Sequence, residues 1–372
     1  MIYLDNAATT YPKPRRVICE VNQCIKKYCG NPGRSSHDLS YKAAEKIYSV
    51  REKIAEHLNT DSPESVVFTY NATYALNLAI KTLVKENCHV LTTDYEHNSV
   101  IRPLEKLAKT RNIEYSDFDT DDNIESNILK ELRSNTKALV CSLASNVIGA
   151  TIDLEILSKV AKENGLFLII DASQAIGHQK IDLKSSPCDV LCAPGHKSLF
   201  GIQGSGFAIF KGKYRDESFL EGGSGSDSEN LEMPILLPEG YEAGTLATPS
   251  IISMGAGIDY INEIGIDEIS NKIEWMCEYA KDALSCIRGV TIYECGNGLV
   301  SFNYKNIDSS TIATILNDEG ICVRGGLHCA PTAHRKIGTI HQGTVRVSFS
   351  YLNNSSEIDR LYKVMKKFSS IN

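Results

Sequence analysis

The sequence predicts an α/β protein with a large domain built on a mostly parallel sheet and a smaller α+β domain. Three observations lead to this prediction. Short apolar segments alternate with amphipathic helical segments over most of the 372 residues, which is the signature of βαβ units. The apolar run 166–170 lacks alternating polar residues, as expected for a strand buried on both faces. After Phe210 the pattern changes to a glycine-bearing loop, a long helical region and a second αβ pattern.

The elements follow one another in a regular order. Predicted strands of the large sheet lie at 66–69, 90–92, 137–143, 166–170, 190–193 and 207–210. Predicted helices between them lie at 41–58, 74–84, 100–110 and 153–164. Residues 213–245 are predicted to form a flexible loop and residues 249–287 a helical region. The tail is predicted to alternate again, with elements at 299–304, 309–319, 321–323, 344–350 and 356–368.

Composition argues against several classes of function. Charged residues make up 23% and hydrophobic residues 42%, which is ordinary for a soluble globular protein. The net charge of −7 provides no general basic surface, so nucleic acid is not an expected partner. No apolar run approaches the roughly 20 residues of a membrane helix, and the first residues do not resemble a signal peptide. We therefore expect a cytoplasmic protein that does not enter a membrane.

The twelve cysteines do not indicate a metal site or a disulfide framework, because the sequence contains no CxxC pair. Cys88, Cys141, Cys192 and Cys286 lie in or beside apolar segments, and we expect them to be small buried side chains. Cys329 differs because it lies in the polar loop Val323-Arg-Gly-Gly-Leu-His-Cys-Ala-Pro331.

An acidic residue and a lysine point to a cofactor. Asp171 follows the buried strand 166–170, and Lys197 follows the next strand within Ala193-Pro-Gly-His-Lys197. The carboxyl ends of strands in an open α/β sheet form the crevice where ligands bind. Pyridoxal phosphate (PLP) needs a lysine amine for its aldehyde and an acidic partner for its pyridine nitrogen. The alternative is a helix-capping aspartate and a solvated surface lysine.

Other polar residues also follow predicted strands. Asn71 and Thr73 stand where a strand gives way to a helix, and free N–H groups at a helix start bind phosphate. Asn and Thr are also ordinary helix caps. His97 could lie on an aromatic ring or be a surface histidine, whereas Asn146 and Gln174 could bond a pyridine hydroxyl. Polar residues at successive strand ends are what one crevice-bound cofactor requires.

The Cys329 loop has the exposure and flexibility that a reactive thiol needs. Arg324 and His328 are close in sequence, and nearby positive charge raises the thiolate fraction of a cysteine. The alternative is an incidental loop cysteine, but the polar surroundings provide no packing reason for a thiol.

Taken together, these motifs resemble the cysteine desulfurases and selenocysteine lyases of the class V aminotransferase superfamily, most closely the SufS-like group. The resemblance runs nearly end to end. The residues that carry it are Tyr3-Leu-Asp-Asn-Ala-Ala8, Asn71-Ala-Thr73, Glu96-His97, Ser145-Asn146, Asp171-x-x-Gln174, Gly195-His-Lys197, Tyr241-Glu-Ala-Gly-Thr245, Arg324-x-Gly-x-His328-Cys329-Ala and Thr344-Val-Arg346.

The resemblance implies the fold of PLP-dependent transferases of fold type I, with PLP as the cofactor. Lys197 would bind PLP covalently and later move protons, Asp171 would pair with the pyridine nitrogen, and His97 would stack on the ring. Contacts to the phenolic oxygen or the substrate would come from Gln174 and Asn146. The phosphate would be held by the Ala72 backbone, Thr73, Ser173, His196 and, from the neighbouring subunit of a homodimer, Thr245.

The resemblance also implies an activity. Cys329 would accept sulfur from L-cysteine and pass it to an acceptor, with Arg346 clamping the substrate carboxylate and with Arg324 and His328 beside the substrate. The large domain would span 16–260, and a small domain carrying the cysteine loop would combine 1–15 with 261–372. The sequence departs from the family at Ala72, where a threonine is common, and at Leu327, where SufS-like enzymes usually carry histidine.

Other activities remain open at this point. A selenocysteine lyase could use the same scaffold, because selenium is the better leaving atom. Another class V reaction, such as transamination or epimerisation, would make Cys329 incidental. A non-catalytic subunit that kept the fold would need none of the residues above.

Overall fold

The computed structural model describes residues 1–33, 35–60, 62–212, 219–226 and 229–371. In these ranges the strands are β1 (Ile2–Tyr3), β2 (Val66–Thr69), β3 (His89–Thr93), β4 (Glu114–Phe118), β5 (Thr136–Ser142), β6 (Phe167–Asp171), β7 (Val190–Pro194), β8 (Gly206–Phe210), β9 (Val290–Gly296), β10 (Leu299–Tyr304), β11 (Ile321–Cys322), β12 (Arg324–Gly326) and β13 (Thr344–Ser348). The α-helices are α1 (Arg15–Lys27), α2 (Asp38–His57), α3 (Ala72–Leu83), α4 (Asn98–Thr110), α5 (Ile124–Glu131), α6 (Leu154–Glu163), α7 (Thr248–Ile264), α8 (Ile266–Ser285), α9 (Ser309–Asp318), α10 (Pro331–Lys336) and α11 (Ser355–Ile371).

A seven-stranded sheet with the order β2-β8-β7-β6-β5-β3-β4 forms the centre of the molecule. Its strands run parallel except β8, which is antiparallel to both of its neighbours. The predicted α/β class with a mostly parallel sheet is therefore confirmed, and all six predicted strands are present within one residue at each end.

The central sheet is buried on both faces. In β6, Leu168 and Ile170 pack into one apolar cluster and Ile169 packs into the other, because successive side chains of a strand point to opposite faces. Helices α3 and α4 cover the face of Ile169. Two-sided burial explains why these strands are continuous apolar runs.

The C-terminal part forms a second, antiparallel sheet with the order β12-β13-β10-β9. The start of the chain joins this part, because β1 pairs in parallel with β11 and Asp5 bridges to Ser348. The proposed domain limits, 16–260 against 1–15 with 261–372, remain a prediction.

Several expectations need correction. The helical region 249–287 is two helices, because Gly265 adopts φ of +91° between α7 and α8, a conformation that glycine accommodates. Cys286 is exposed rather than buried, whereas Cys88, Cys141 and Cys192 are buried as expected.

Part of the predicted loop 213–245 lies outside the described residues, namely 213–218 and 227–228. Within the described ranges, none of the helices has the length and apolar character needed to cross a membrane.

Candidate active site

A cavity of about 200 Å³ opens at the carboxyl ends of the parallel strands. Its walls include His97 after β3, Asn146 after β5, Asp171 at the end of β6 and Lys197 after β7. Parallel strands bring their carboxyl ends to the same edge of a sheet, so residues distant in sequence meet there. The cavity is also lined by Ala72, Thr73, Ser173, Gln174, His196, Arg324, His328 and Arg346.

Asp171 and Lys197 share this cavity in an interior environment. The Ser173 N–H donates to Oδ1 of Asp171 at 2.8 Å, and burial raises the pKa of the Asp171 carboxyl. Burial lowers the pKa of the Lys197 amine to about 8, although the Asp171 charge opposes this shift. A lysine with this pKa has a substantial neutral fraction near pH 8, as a nucleophilic amine requires.

The His97 ring is uncharged, and a hydrogen bond determines which of its nitrogen atoms carries the proton. Burial, followed by the charges of Lys197 and Arg324, lowers its pKa to about 3. The Ser99 N–H donates to Nδ1 of His97 at 3.0 Å, so Nδ1 is the acceptor and Nε2 carries the proton. His97 therefore presents an uncharged ring to the cavity.

The start of α3 forms the end of the cavity suited to an anion. The Asn71 side chain caps the helix by accepting from the Tyr74 N–H at 2.9 Å, and Ala72 and Thr73 follow in the first turn. A Cβ atom at Gly206 would lie 2.7 Å from the carbonyl carbon of Asn71, so glycine allows the helix start to approach β8. The helix dipole favours a negative group here.

Ser173 and His196 also line the cavity. Burial lowers the pKa of His196 to about 4, so its ring is neutral, and its Nδ1 lies 3.1 Å from Oγ1 of Thr9. Both side chains can therefore offer hydrogen bonds rather than a charge to an anion.

Arg346 is fully buried and held in a fixed orientation. Its Nη1 donates to the Asn146 carbonyl at 2.8 Å, and its Nη2 donates to Oδ1 of Asp5 at 3.0 Å. Its Nε has no hydrogen-bond partner among the described residues. Arg324 is directly opposite Arg346 in the β12–β13 pairing. Two like charges in register are unfavourable, so an anion between them would be stabilised.

Cys329 is exposed at the turn that follows β12, next to the cavity. Nη2 of Arg324 lies 3.8 Å from its Sγ. His328 and Cys329 have φ of +49° and +60°, an unusual conformation for non-glycine residues. The Asn146 side chain holds the turn by donating to the His328 carbonyl at 2.8 Å.

The expectation that His328 supplies positive charge to the thiol is wrong. Burial lowers the pKa of His328 well below its usual value, with the Arg346 charge adding to the effect. Of the two basic neighbours expected from the sequence, only Arg324 is therefore charged. His328 does line the cavity, with its Nε2 3.0 Å from the Thr344 carbonyl.

The two amide side chains expected to contact a cofactor or substrate reach the cavity. Gln174 donates from Nε2 to the Ala7 carbonyl at 3.0 Å, and Asn146 donates to the His328 carbonyl. Each amide nitrogen carries a second N–H, which leaves one donor for another acceptor.

Two of the expected site residues do not line the cavity: Cys329, which lies in the turn beside it, and Thr245. Thr245 is exposed and lines a separate cavity of about 370 Å³, together with Arg51 and Glu242. Its expected role involves a neighbouring subunit, and this role remains a prediction.

The sequence does not assign a role to two residues that contribute to the site, Asp5 and Glu96. Asp5 pairs with Arg346, and Glu96, which precedes His97 in the chain, is fully buried. Glu96 accepts from the Ser142 N–H at 2.7 Å, and burial raises its pKa to about 7. Both stand in motifs that carry the resemblance, so the motifs were the available signal, but no local pattern reveals their partners.

The fold agrees with the comparisons with known proteins. The family model for class V aminotransferases matches residues 2–361, and the chain belongs to this family. It is 33% identical to a probable cysteine desulfurase of Methanothermobacter thermautotrophicus, over 100% of this chain and 95% of that protein. A second probable cysteine desulfurase, from Halalkalibacterium halodurans, is 31% identical over 99% of this chain and 93% of its own length.

A solved structure shows the same architecture. The apo structure of a cysteine desulfurase from Thermococcus onnurineus superposes with a TM-score of 0.92 at 30% identity, covering 100% of this chain and 95% of that one. The cysteine desulfurase CsdA from Escherichia coli, at 23% identity, shares the fold with a TM-score of 0.89, covering 99% of this chain and 94% of its own.

Proposed function

We propose that this chain is a PLP-dependent cysteine desulfurase that converts L-cysteine to L-alanine and leaves the sulfur on Cys329 as a persulfide. The observation that carries the proposal is the exposed Cys329 thiol beside a cavity that contains Lys197, Asp171 and two arginines. The relatives named above are called cysteine desulfurases, which supports the same activity here.

The residues present fit PLP. Asp171 and Lys197 line one cavity, yet no ion pair joins them to each other or to another described residue. A buried carboxylate without a charged partner is costly, and a protonated pyridine nitrogen would supply that partner. Lys197 would hold the aldehyde carbon and His97 would cover the ring. When bound, PLP supplies an electrophilic carbon and an electron sink.

The start of helix α3 provides a binding site for the phosphate group of PLP. The N–H groups of Ala72 and Thr73 would bind phosphate oxygens, aided by Ser173 and His196. Alanine at position 72 removes one possible hydroxyl but not the backbone donor. Gln174 and Asn146 would use their second N–H groups toward the cofactor hydroxyl or the substrate.

The protein groups have distinct tasks in the reaction. Arg346 and Arg324 would bind the substrate carboxylate, because they are opposite each other in the β12–β13 pairing and both line the cavity. Lys197 accepts a proton at Nζ in its neutral form, which its pKa of about 8 makes available. The uncharged side chain of His328 would line the cavity beside the substrate.

The sulfur transfer balances without an external oxidant or reductant. L-cysteine and the Cys329 thiol yield L-alanine and the Cys329 persulfide. The carbon–sulfur bond breaks, a sulfur–sulfur bond forms, and one thiol hydrogen ends on the alanine methyl group. The carbon is reduced as the two sulfur atoms are oxidised. Transfer to a protein thiol divides a difficult cleavage into two steps.

The remaining parts of the proposal concern partners. The exposure of Cys329 would let an acceptor protein or a thiol take the persulfide for iron–sulfur cluster assembly or other sulfur metabolism. The working form would be a homodimer in which Thr245 reaches the phosphate bound by the neighbouring subunit. We place the enzyme in the cytoplasm, consistent with its composition.

The test compares wild type with Cys329→Ala, and uses Cys286→Ala as a control because Cys286 is also exposed. Alanine and sulfide are measured from L-cysteine and L-selenocysteine, with bound PLP followed by absorbance. We expect Cys329→Ala to lose cysteine turnover while it keeps the cofactor absorbance, and Cys286→Ala to match wild type. Cysteine turnover that survives in Cys329→Ala would refute the assigned nucleophile. Wild type active on selenocysteine alone would indicate a selenocysteine lyase.

A further inference from the structure

The turn that carries Cys329 is attached to the segment that carries His97 by three contacts. The Asn98 N–H donates to the Cys329 carbonyl at 2.7 Å. Oγ1 of Thr332 donates to the Glu96 carbonyl at 2.9 Å. Nζ of Lys336 donates to Oδ2 of Asp94 at 2.7 Å. We call these contacts the loop seam; they join residues 329–336 to residues 94–98.

The Lys336–Asp94 pair is the shielded part of a larger charged cluster. The two side chains are 15% and 13% exposed. Lys336 also contacts Asp121 at 2.7 Å and Asp119 at 3.3 Å, but these carboxylates are more than 60% exposed. Exposed pairs are screened by water and salt, whereas a shielded pair keeps more of its attraction. The contact with Asp94 is therefore the least screened of the ion pairs that Lys336 forms at the end of α10.

The backbone of the turn needs such support. His328 and Cys329 are consecutive non-glycine residues with positive φ, a conformation that persists only where the surroundings hold it. The Asn146 side chain holds one side of the turn through the His328 carbonyl. The loop seam holds the other side, and Lys336 is its far end.

We propose that Lys336 is a positioning residue, which holds the Cys329 turn against the His97 segment through Asp94 and thereby keeps the thiol at the mouth of the cavity. This inference rests on the proposed desulfurase function. Lys336 does not line the cavity, so it acts only through the turn. Loss of the pair would let the turn relax away, and a displacement of about 1 Å is enough to slow a group transfer strongly.

The experiment uses the PLP-bound enzyme and four variants. Lys336→Met removes the charge at similar volume, Lys336→Arg keeps it, and Thr332→Val removes the middle contact. Lys281→Met is the control, because Lys281 forms an exposed pair with Glu278 away from the cavity. The readouts are kcat and KM for L-cysteine and the rate at which iodoacetamide alkylates Cys329, measured by peptide mass mapping.

We expect Lys336→Met to lower kcat about tenfold or more, with KM and cofactor absorbance nearly unchanged and Cys329 alkylation several-fold faster. Thr332→Val should shift both readouts in the same direction by less. Lys336→Arg should restore them, and Lys281→Met should match wild type. Wild-type kcat and alkylation in both seam variants would overturn the proposal, as would a lower kcat without faster alkylation.

Two further outcomes are decisive. If Lys336→Met does not fold, Thr332→Val decides alone by the same two readouts. If wild type lacks cysteine turnover but Lys336→Met still speeds alkylation, the proposed function fails and the positioning role of Lys336 stands.

Discussion

Replacement of Arg346 by lysine tests the substrate-binding side of the site. Arg346 uses Nη1 and Nη2 to hold the Asn146 carbonyl and Asp5, and its Nε is unpartnered among the described residues. The guanidinium can therefore keep both protein contacts and still offer a fork to a carboxylate. A lysine ammonium keeps the charge but has no planar fork to serve these acceptors together.

The expected loss follows from this difference. Arg346→Lys loses at least one hydrogen bond between charged groups, which is worth about 1.5–3 kcal/mol. At 1.4 kcal/mol per factor of ten, KM for L-cysteine should rise by roughly 10- to 150-fold. The fall in kcat should be smaller, because the Lys197 and Cys329 contacts are untouched.

The assay is steady-state alanine formation across cysteine concentrations, with circular dichroism and cofactor absorbance as checks on folding. Arg360→Lys is the matched control, because Arg360 pairs with Glu319 on the surface. We expect this control to change KM by less than about twofold, since exposed pairs contribute little. A properly folded Arg346→Lys enzyme with wild-type KM would show that Arg346 does not bind the carboxylate.

Two other predictions concern the amine and the buried ion pair. The pKa of Lys197 is lowered to about 8 by burial, so in cofactor-free protein its neutral fraction rises about tenfold per pH unit below 8. The rate of PLP capture, followed by absorbance, should rise with pH up to about 8 and then level off, and a flat profile below 8 would contradict this. Arg51 and Glu242 are both 7% exposed, so Arg51→Met should lower the free energy of unfolding by about 3–5 kcal/mol. Urea unfolding checks this value against Lys159→Met, which breaks an exposed pair and should cost less than about 1 kcal/mol; equal losses would refute the argument.

The central sheet could be predicted because burial on both faces leaves a readable pattern. Strand β6 is a continuous apolar run that ends in Asp171, and its place in the sheet follows from that run. Strand β4 could not be predicted, since Glu114–Phe118 lies at the sheet edge and only Phe118 is buried. Strand β9 was missed for a similar reason, because its side chains are mostly half-buried or exposed.

Part of the candidate site could likewise be predicted from the sequence, and part of it could not. His97, Asp171 and Lys197 could be placed together because the ends of parallel strands share one edge. The pairing of Asp5 with Arg346 could not, since 341 residues separate them and neither stands in a local pattern that reveals the other. The neutral state of His328 could not be predicted from the sequence either, because it results from burial in the folded chain.

The most direct test of the central claim is to look for the persulfide itself. The PLP-bound enzyme is mixed with L-cysteine without reductant, treated with an alkylating agent and mapped by peptide mass spectrometry. We expect the Cys329 peptide to carry one additional sulfur atom, with one alanine released per modified site. The extra sulfur on another of the 12 cysteines, or alanine release without any persulfide, would contradict the account.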